Sequence, residues 1–213
     1  VLLKDGTMNY LYLHGFASSP QSRKAGYLRD RFSDQGISLI IPDLNQGDFF
    51  HLTLTRHIQQ VEKILEADPT PATIIGSSFG GLTAAWVAQR QPQIKQLILL
   101  APAFGFLQHW LPQLGLPQVQ KWQQQGQLEI YHYGVNRRVS LSYQFLEDMT
   151  HYDLTELKRA VPTLILHGIS DRTIPIEASR AFAADRPWVK LIELESDHGL
   201  ENALPQIWQN LMV

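Results

Sequence analysis

The stretch Ile74-Ile75-Gly76-Ser77-Ser78-Phe79-Gly80-Gly81 constrains this chain more than any other. It runs from an apolar, strand-like segment beginning at Ala72, through a glycine-framed serine, into a helix beginning Leu82-Thr83-Ala84-Ala85-Trp86-Val87-Ala88. A strand that turns this sharply into a helix holds the residue at the turn in a strained conformation. Glycines two positions before and after remove the side chains that would collide there. The spacing predicts that Ser78 sits at the turn with its hydroxyl exposed at the strand's end.

The segments on either side repeat the alternation. Met8 to Leu13 reads as a strand ending in His14-Gly15-Phe16, and Ser22 to Phe32 reads as a helix with Ala25, Leu28 and Phe32 on one side, stopped by Gly36. Ile37 to Ile41 reads as a buried strand, and Thr53 to Ala67 as a helix with Ile58, Val61, Ile64 and Leu65 on its inner stripe. Ile94 to Leu100 is nearly continuous in apolar residues, the pattern of a parallel strand covered on both faces. The alternation resumes with strands at Thr163 to Leu166 and Val189 to Leu194 and helices at about Ile176 to Ala183 and Leu204 to Met212. This order predicts an α/β fold with a mostly parallel central sheet flanked by helices. Between them, residues 103–159 are aromatic, glutamine-rich and irregular, with a hairpin through Leu128 to Leu141 and a short helix near Tyr143 to Met149. They read as a cap inserted over the sheet's C-terminal edge, where sites in open parallel sheets lie. With 213 residues, 44% of them hydrophobic and 18% charged, the whole chain (1–213) reads as one domain carrying that cap.

Composition narrows the chemistry. The chain has no cysteine, so disulfides, thiolate nucleophiles and cysteine-based zinc sites are excluded. A net charge of -2 gives no basic field for nucleic acid or anionic lipid. The apolar runs are too short to span a bilayer, and Val1-Leu2-Leu3-Lys4-Asp5 lacks the regions of a signal peptide, so a cytoplasmic protein is expected. No metal-ligand spacing, phosphate loop or dinucleotide fingerprint stands out, and no cofactor is expected.

Nucleophilic work then falls to serine or threonine, and the elbow presents a serine. A serine needs a base within hydrogen-bond reach and an acid that holds the base in the right tautomer. In a strand-turn-helix elbow the chain order is Ser, then Asp or Glu, then His. Of eight histidines only His198 lies in a loop after the last strand, in Asp197-His198-Gly199. Asp171 follows the apolar strand ending in His167-Gly168 and is the matching acid. Asp197 adjoins the base in sequence, a poor geometry for pairing, and Asp43 and Asp48 precede the serine. The position after the elbow's next strand is Ala101-Pro102-Ala103, which offers no acid. The backbone N–H groups of Phe79 and Phe16 are the expected oxyanion donors. Taken singly, His198 also reads as a solvated loop histidine, Asp171 as a turn former and His14-Gly15 as an ordinary turn. Phe104, Phe106, Trp110 and Tyr143 are candidates either to line a substrate pocket or to pack the cap onto the core.

Together, His14-Gly15-Phe16, Gly76-Ser77-Ser78-Phe79-Gly80-Gly81, His167-Gly168-Ile169-Ser170-Asp171 and Ser196-Asp197-His198-Gly199 resemble the α/β-hydrolase superfamily. The opening Leu13 to Ser22 and the Gly-Ser-Ser elbow are similar to small bacterial esterases of the YqiA type. The resemblance implies a serine hydrolase that cleaves a small-molecule ester or thioester through an acyl-enzyme on Ser78. Acyl transfer or carbon-carbon bond hydrolysis by the same three residues, and a hydrolase fold that only binds, are the alternatives. The substrate and the oligomeric state are not set by these motifs.

Overall fold

The computed structural model describes residues 8–212. Six strands form one parallel sheet: β1 (Asn9–Leu13), β2 (Leu39–Ile40), β3 (Ala72–Ser77), β4 (Ile94–Leu100), β7 (Thr163–Gly168) and β8 (Val189–Leu194), in the order β2-β1-β3-β4-β7-β8. The remaining two, β5 (Gln127–His132) and β6 (Arg137–Ser142), form a separate antiparallel hairpin. From β1 the chain steps outward to β2, then returns to place β3 on the other side of β1. The strand order therefore reverses between β1 and β3, and a crevice opens at their C-terminal ends.

Period-two alternation sends side chains to two cores. Leu11, Leu13, Ile74, Leu99 and Ile165 face helices α2 (Leu54–Ala67) and α3 (Phe79–Arg90). Tyr10, Tyr12, Ile75, Ile98 and Leu100 face α1 (Arg23–Asp34) and α8 (Leu204–Met212). The first of these, α1, is capped by the Ser22 side chain, which accepts from the Ala25 N–H, and buries Ala25, Leu28 and Phe32 as one stripe. Truncating Phe32 to alanine would cost about 3–5 kcal/mol. On the α2 face, α7 (Ile176–Ala184) adds Phe182. A mostly parallel sheet with both faces covered, an elbow at the end of β3 and an inserted cap make this an α/β-hydrolase fold.

Two expectations change. The segment Ile37 to Ile41 is not a buried strand: only Leu39 and Ile40 pair, on the sheet's outer edge, and Ile40 is 37% exposed. Edge placement leaves one side of the strand to solvent, and its apolar run covers one face only. The cap is also more regular than its composition suggests. It contains α4 (Phe106–Leu114), α5 (Leu116–Gln125) and α6 (Gln144–Met149) besides the hairpin. Pro112 inside α4 and Gly115 between α4 and α5 interrupt the periodicity by which a helix is read from sequence. The hairpin and α6 lie within two residues of the expected positions. No helix among the described residues is long and apolar enough to cross a membrane.

Candidate active site

Ser78 is the residue between β3 and α3, with φ 52° and ψ -116°. A non-glycine residue in that region costs about 1–3 kcal/mol and persists only where its surroundings hold it. They do so here: the Ser78 N–H donates to the Leu100 carbonyl at 2.9 Å, and the Ser78 carbonyl accepts from Gly81, Leu82 and Ala103 at 2.8, 3.1 and 3.0 Å. A methyl group on Gly76 would run into the Gly80 carbonyl, and one on Gly80 into the carbonyls of Leu13 and His14. The two framing glycines thus let β1, β3 and α3 meet at the elbow.

The Ser78 hydroxyl lies 2.9 Å from Nε2 of His198, and Nδ1 of His198 lies 2.6 Å from Oδ2 of Asp171. With Nδ1–H donating to a carboxylate, Nε2 is free to accept from the serine hydroxyl. Asp171 has no exposed side-chain surface. Burial pushes its carboxyl up, but hydrogen bonds from His167 and His198, with those of the local backbone, outweigh it and hold the group well below the usual carboxylate range. The Thr173 and Ile174 N–H groups donate to Oδ1 at 2.8 and 2.9 Å, fixing the plane of the carboxylate. Asp197, the competing acid, caps its own turn instead, accepting from the Gly199 N–H at 2.9 Å.

His167, treated by sequence as part of a strand-end pair, is the residue that reasoning missed. It is fully buried, and its Nε2 lies 3.0 Å from Asp171 Oδ2 and 2.9 Å from the Ile174 carbonyl. Both partners are acceptors, so Nε2 carries the proton and Nδ1 accepts from the Ser179 hydroxyl at 2.8 Å. The signal available beforehand was its spacing, near the end of the strand and four residues before the acid in the loop that follows.

The loop after β1 lies directly over the serine. A methyl on Gly15 would stand 3.3 Å from Cβ of Ser78. Among the described residues no hydrogen bond within the protein engages the N–H of Phe16 or of Phe79. His14 fastens this loop: its Nε2 accepts from the Leu44 N–H at 3.0 Å, and its Nδ1–H donates to the Gly15 carbonyl at 3.0 Å. On the opposite wall, Lys24 Nζ donates to the Gly199 carbonyl at 2.7 Å, tying α1 to the His198 loop. Burial lowers the Lys24 ammonium to about 8 against the opposing pull of Glu201, Asp197 and Asp171.

Ser78 and His198 open into a cleft of about 500 Å³. None of Phe104, Phe106, Trp110 and Tyr143 lines it, in contrast to the pocket reading. Phe104 is fully buried and stacks on Phe182 at 4.0 Å, Tyr143 meets Trp122 at 5.6 Å, and Phe106 and Trp110 pack on each other at 5.2 Å. Ring-to-ring packing, within the cap or, for Phe104, onto α7, takes these faces away from the cleft. Phe16 joins the same cluster, 5.5 Å from Phe106 and 5.4 Å from Trp110, and Phe79 lies 5.5 Å from Phe106. No group of residues suited to hold a metal ion occurs among the described residues.

Solved structures share this fold at low identity. An Agrobacterium vitis S4 protein described as a hydrolase is 21% identical, with a TM-score of 0.86, over 100% of this chain and 89% of its own. Est1E from Butyrivibrio proteoclasticus, solved with ferulic acid bound, is 21% identical with a TM-score of 0.81, over 96% of this chain and 86% of its own. Mouse alpha/beta hydrolase domain-containing protein 10 is 22% identical with a TM-score of 0.78, over 100% of this chain and 92% of its own. At these identities the likeness is one of fold. The family is set by sequence: residues 9–212 match one family model, and the chain belongs to the family described as Uncharacterised protein family (UPF0227).

Proposed function

We propose that the protein is a serine hydrolase that cleaves a carboxylic ester or thioester through an acyl-enzyme on Ser78. The observation that carries this reading is the continuous hydrogen-bonded line from the Ser78 hydroxyl through His198 to Asp171, at 2.9 and 2.6 Å. His198 takes the hydroxyl proton as Ser78 attacks the carbonyl carbon, and Asp171 steadies the imidazolium. The N–H groups of Phe16 and Phe79 hold the oxyanion, each worth about 3 kcal/mol in comparable sites. His198 returns the proton to the leaving oxygen or sulfur, then activates the water that releases the acid. The motif likeness to YqiA-type esterases and the hydrolase fold of the structural relatives support the same reading.

The test is Ser78→Ala with a nitrophenyl ester, together with fluorophosphonate labelling of the wild-type protein mapped to its site. The expected outcome is a fall in kcat of at least about a thousandfold and a single adduct on Ser78. Near-normal turnover in the variant, or an unlabelled Ser78, rejects the assignment.

A further inference from the structure

Resting on that reading, we propose that the substrate is a short-chain acyl ester of a polyhydroxylated alcohol, a saccharide or polyol, whose hydroxyls occupy a polar groove running from Ser78 under the cap hairpin. The acyl carbon passes to Ser78 Oγ and the polyol oxygen leaves with a proton as the free alcohol. Water then takes the acyl group to give a short carboxylic acid and restores the serine.

The walls of the cleft argue for this. Around Ser78 they are made by Ser18, Ser19, Gln21 and Ser22, the charged Arg23, Lys24 and Glu201 and the glycine-rich loops, with Phe16 and the exposed ring of Tyr133 as the aromatic contributions. Each methylene of an acyl chain gains about 0.8 kcal/mol only where it leaves water for an apolar wall. Phe106, Trp110 and Tyr143, which could have extended that wall, pack on other rings of the cap, and Phe104 stacks on Phe182 of α7. Beyond Phe16 and Tyr133, a long acyl chain in this cleft would meet mostly polar side chains.

The groove also continues. A second hollow of about 490 Å³ shares Ser19, Gln21 and Gly134 with the cleft, so the two meet beneath the tip of the hairpin. That tip is held over the oxyanion loop by the Tyr133 N–H, which donates to the Ala17 carbonyl at 2.8 Å. The second hollow offers carboxylates from Asp43 and Asp48, a guanidinium from Arg137 and the ring of Phe49. Closely spaced donors and acceptors beside an aromatic ring suit a ligand that presents hydroxyls along its edge and C–H groups on its face.

An anionic leaving group is disfavoured by how the cleft's cations are used. Arg23 is paired with Glu201 at 2.6 Å, and Lys24 is committed to the Gly199 carbonyl with three carboxylates near it. Beside Ser78 both cations already have partners, which favours neutral hydroxyls there over a phosphate or carboxylate.

The experiment measures kcat/KM of the full chain on nitrophenyl acetate, butyrate, octanoate and dodecanoate, and on glucose pentaacetate against ethyl acetate. The expected result is a fall of at least about tenfold from butyrate to dodecanoate, and a preference of at least about tenfold for the acetylated sugar over ethyl acetate. Gln21→Leu, at the junction of the two hollows, lowers that preference at least about fivefold. Rates that climb with chain length, ethyl acetate matching the acetylated sugar, or an unaltered preference in Gln21→Leu each overturn the proposal. Ser78-dependent hydrolysis of nitrophenyl acetate without deacetylation of the sugar sinks this proposal alone. A wild-type protein inert to every ester and to the fluorophosphonate sinks the serine-hydrolase reading with it.

Discussion

The chain contains the dipeptide His-Gly twice at the C-terminal end of a parallel strand, His14-Gly15 after β1 and His167-Gly168 closing β7, and the two have been put to different chemical work. Both imidazoles are buried, at 1% and 0% exposure. His14 accepts a backbone N–H from Leu44 and returns its own proton to the neighbouring carbonyl of Gly15, so it is a neutral clamp on the loop above Ser78. Burial lowers its affinity for a proton, more than its backbone bond and Asp43 raise it. His167 donates to a carboxylate and accepts from a hydroxyl, so it belongs to a polar chain ending at Ser78. One pair positions backbone and the other positions charge. What a strand-end histidine does is therefore decided by what the next loop brings to it.

The sharpest way to break this comparison is at His167. Replacing it with leucine removes one of two donors to Asp171 Oδ2 and leaves the carboxylate buried beside an apolar group. A charge-assisted hydrogen bond is worth about 1.5–3 kcal/mol, so kcat is expected to fall about 10- to 100-fold with KM little altered. Glutamine places a donor near the position of Nε2, and His167→Gln should recover most of the loss. If the glutamine and leucine variants are equally impaired, His167 fills space and does not orient the acid.

His14 should respond in the other currency. Leucine at this position strands the Leu44 N–H in the interior, at about 1–3 kcal/mol of stability, while the loop after β1 remains held by the packing of Phe16. Urea denaturation is expected to show that loss, with kcat lowered only a few-fold. His14→Gln, which restores an acceptor, should be closer to wild type in stability. A larger loss of kcat in His14→Leu than in His167→Leu would reverse the assignment of roles.

How far the sequence reached follows the same division. Ser78, Asp171 and His198 were legible because each is fixed by local pattern: a glycine frame, a loop after an apolar strand, a loop after the last strand. Their meeting required only that β3, β7 and β8 lie parallel in one sheet, with their C-terminal ends on one edge. His167 was not legible, because its work depends on Asp171 turning back toward the strand it follows, with Thr173 and Ile174 holding that turn. The cleft wall was left open between two readings for a related reason. An aromatic residue in an insertion has the same sequence signature whether its ring meets substrate or another ring, and here Phe106, Trp110 and Phe145 meet each other. Edge strand β2 shows the limit again, since an apolar run carries no mark of which side faces water.

A third buried histidine calibrates the pair and gives the smallest effect at neutral pH. His57, on α2, is fully buried with its ring 5.4 Å from that of Phe79, and neither of its nitrogens has a hydrogen-bond partner. Burial, reinforced by His14 and Arg56, pushes it down to about 3. Its folded-state value is thus below the 6.5 of an unfolded histidine. Between those values the unfolded chain binds a proton that the folded chain refuses, so stability is full above 6.5 and is lost as the pH falls toward 3. Each such group contributes a slope of about 1.4 kcal/mol per pH unit. His14 acts in the same direction, whereas the stabilisation from Asp171 is lost only below the ordinary carboxylate range. His57→Phe keeps the ring against Phe79 and removes two unpartnered nitrogens. It should be at least as stable as wild type at pH 7, and its stability from urea titrations should decline less steeply between pH 6 and pH 4, by about 1 kcal/mol per unit. Parallel declines in the two proteins would mean that His57 meets water or a proton in the folded state. The acid sensitivity would then belong to His14, and the clamp on the loop above Ser78 would be the first part of the site to fail in acid.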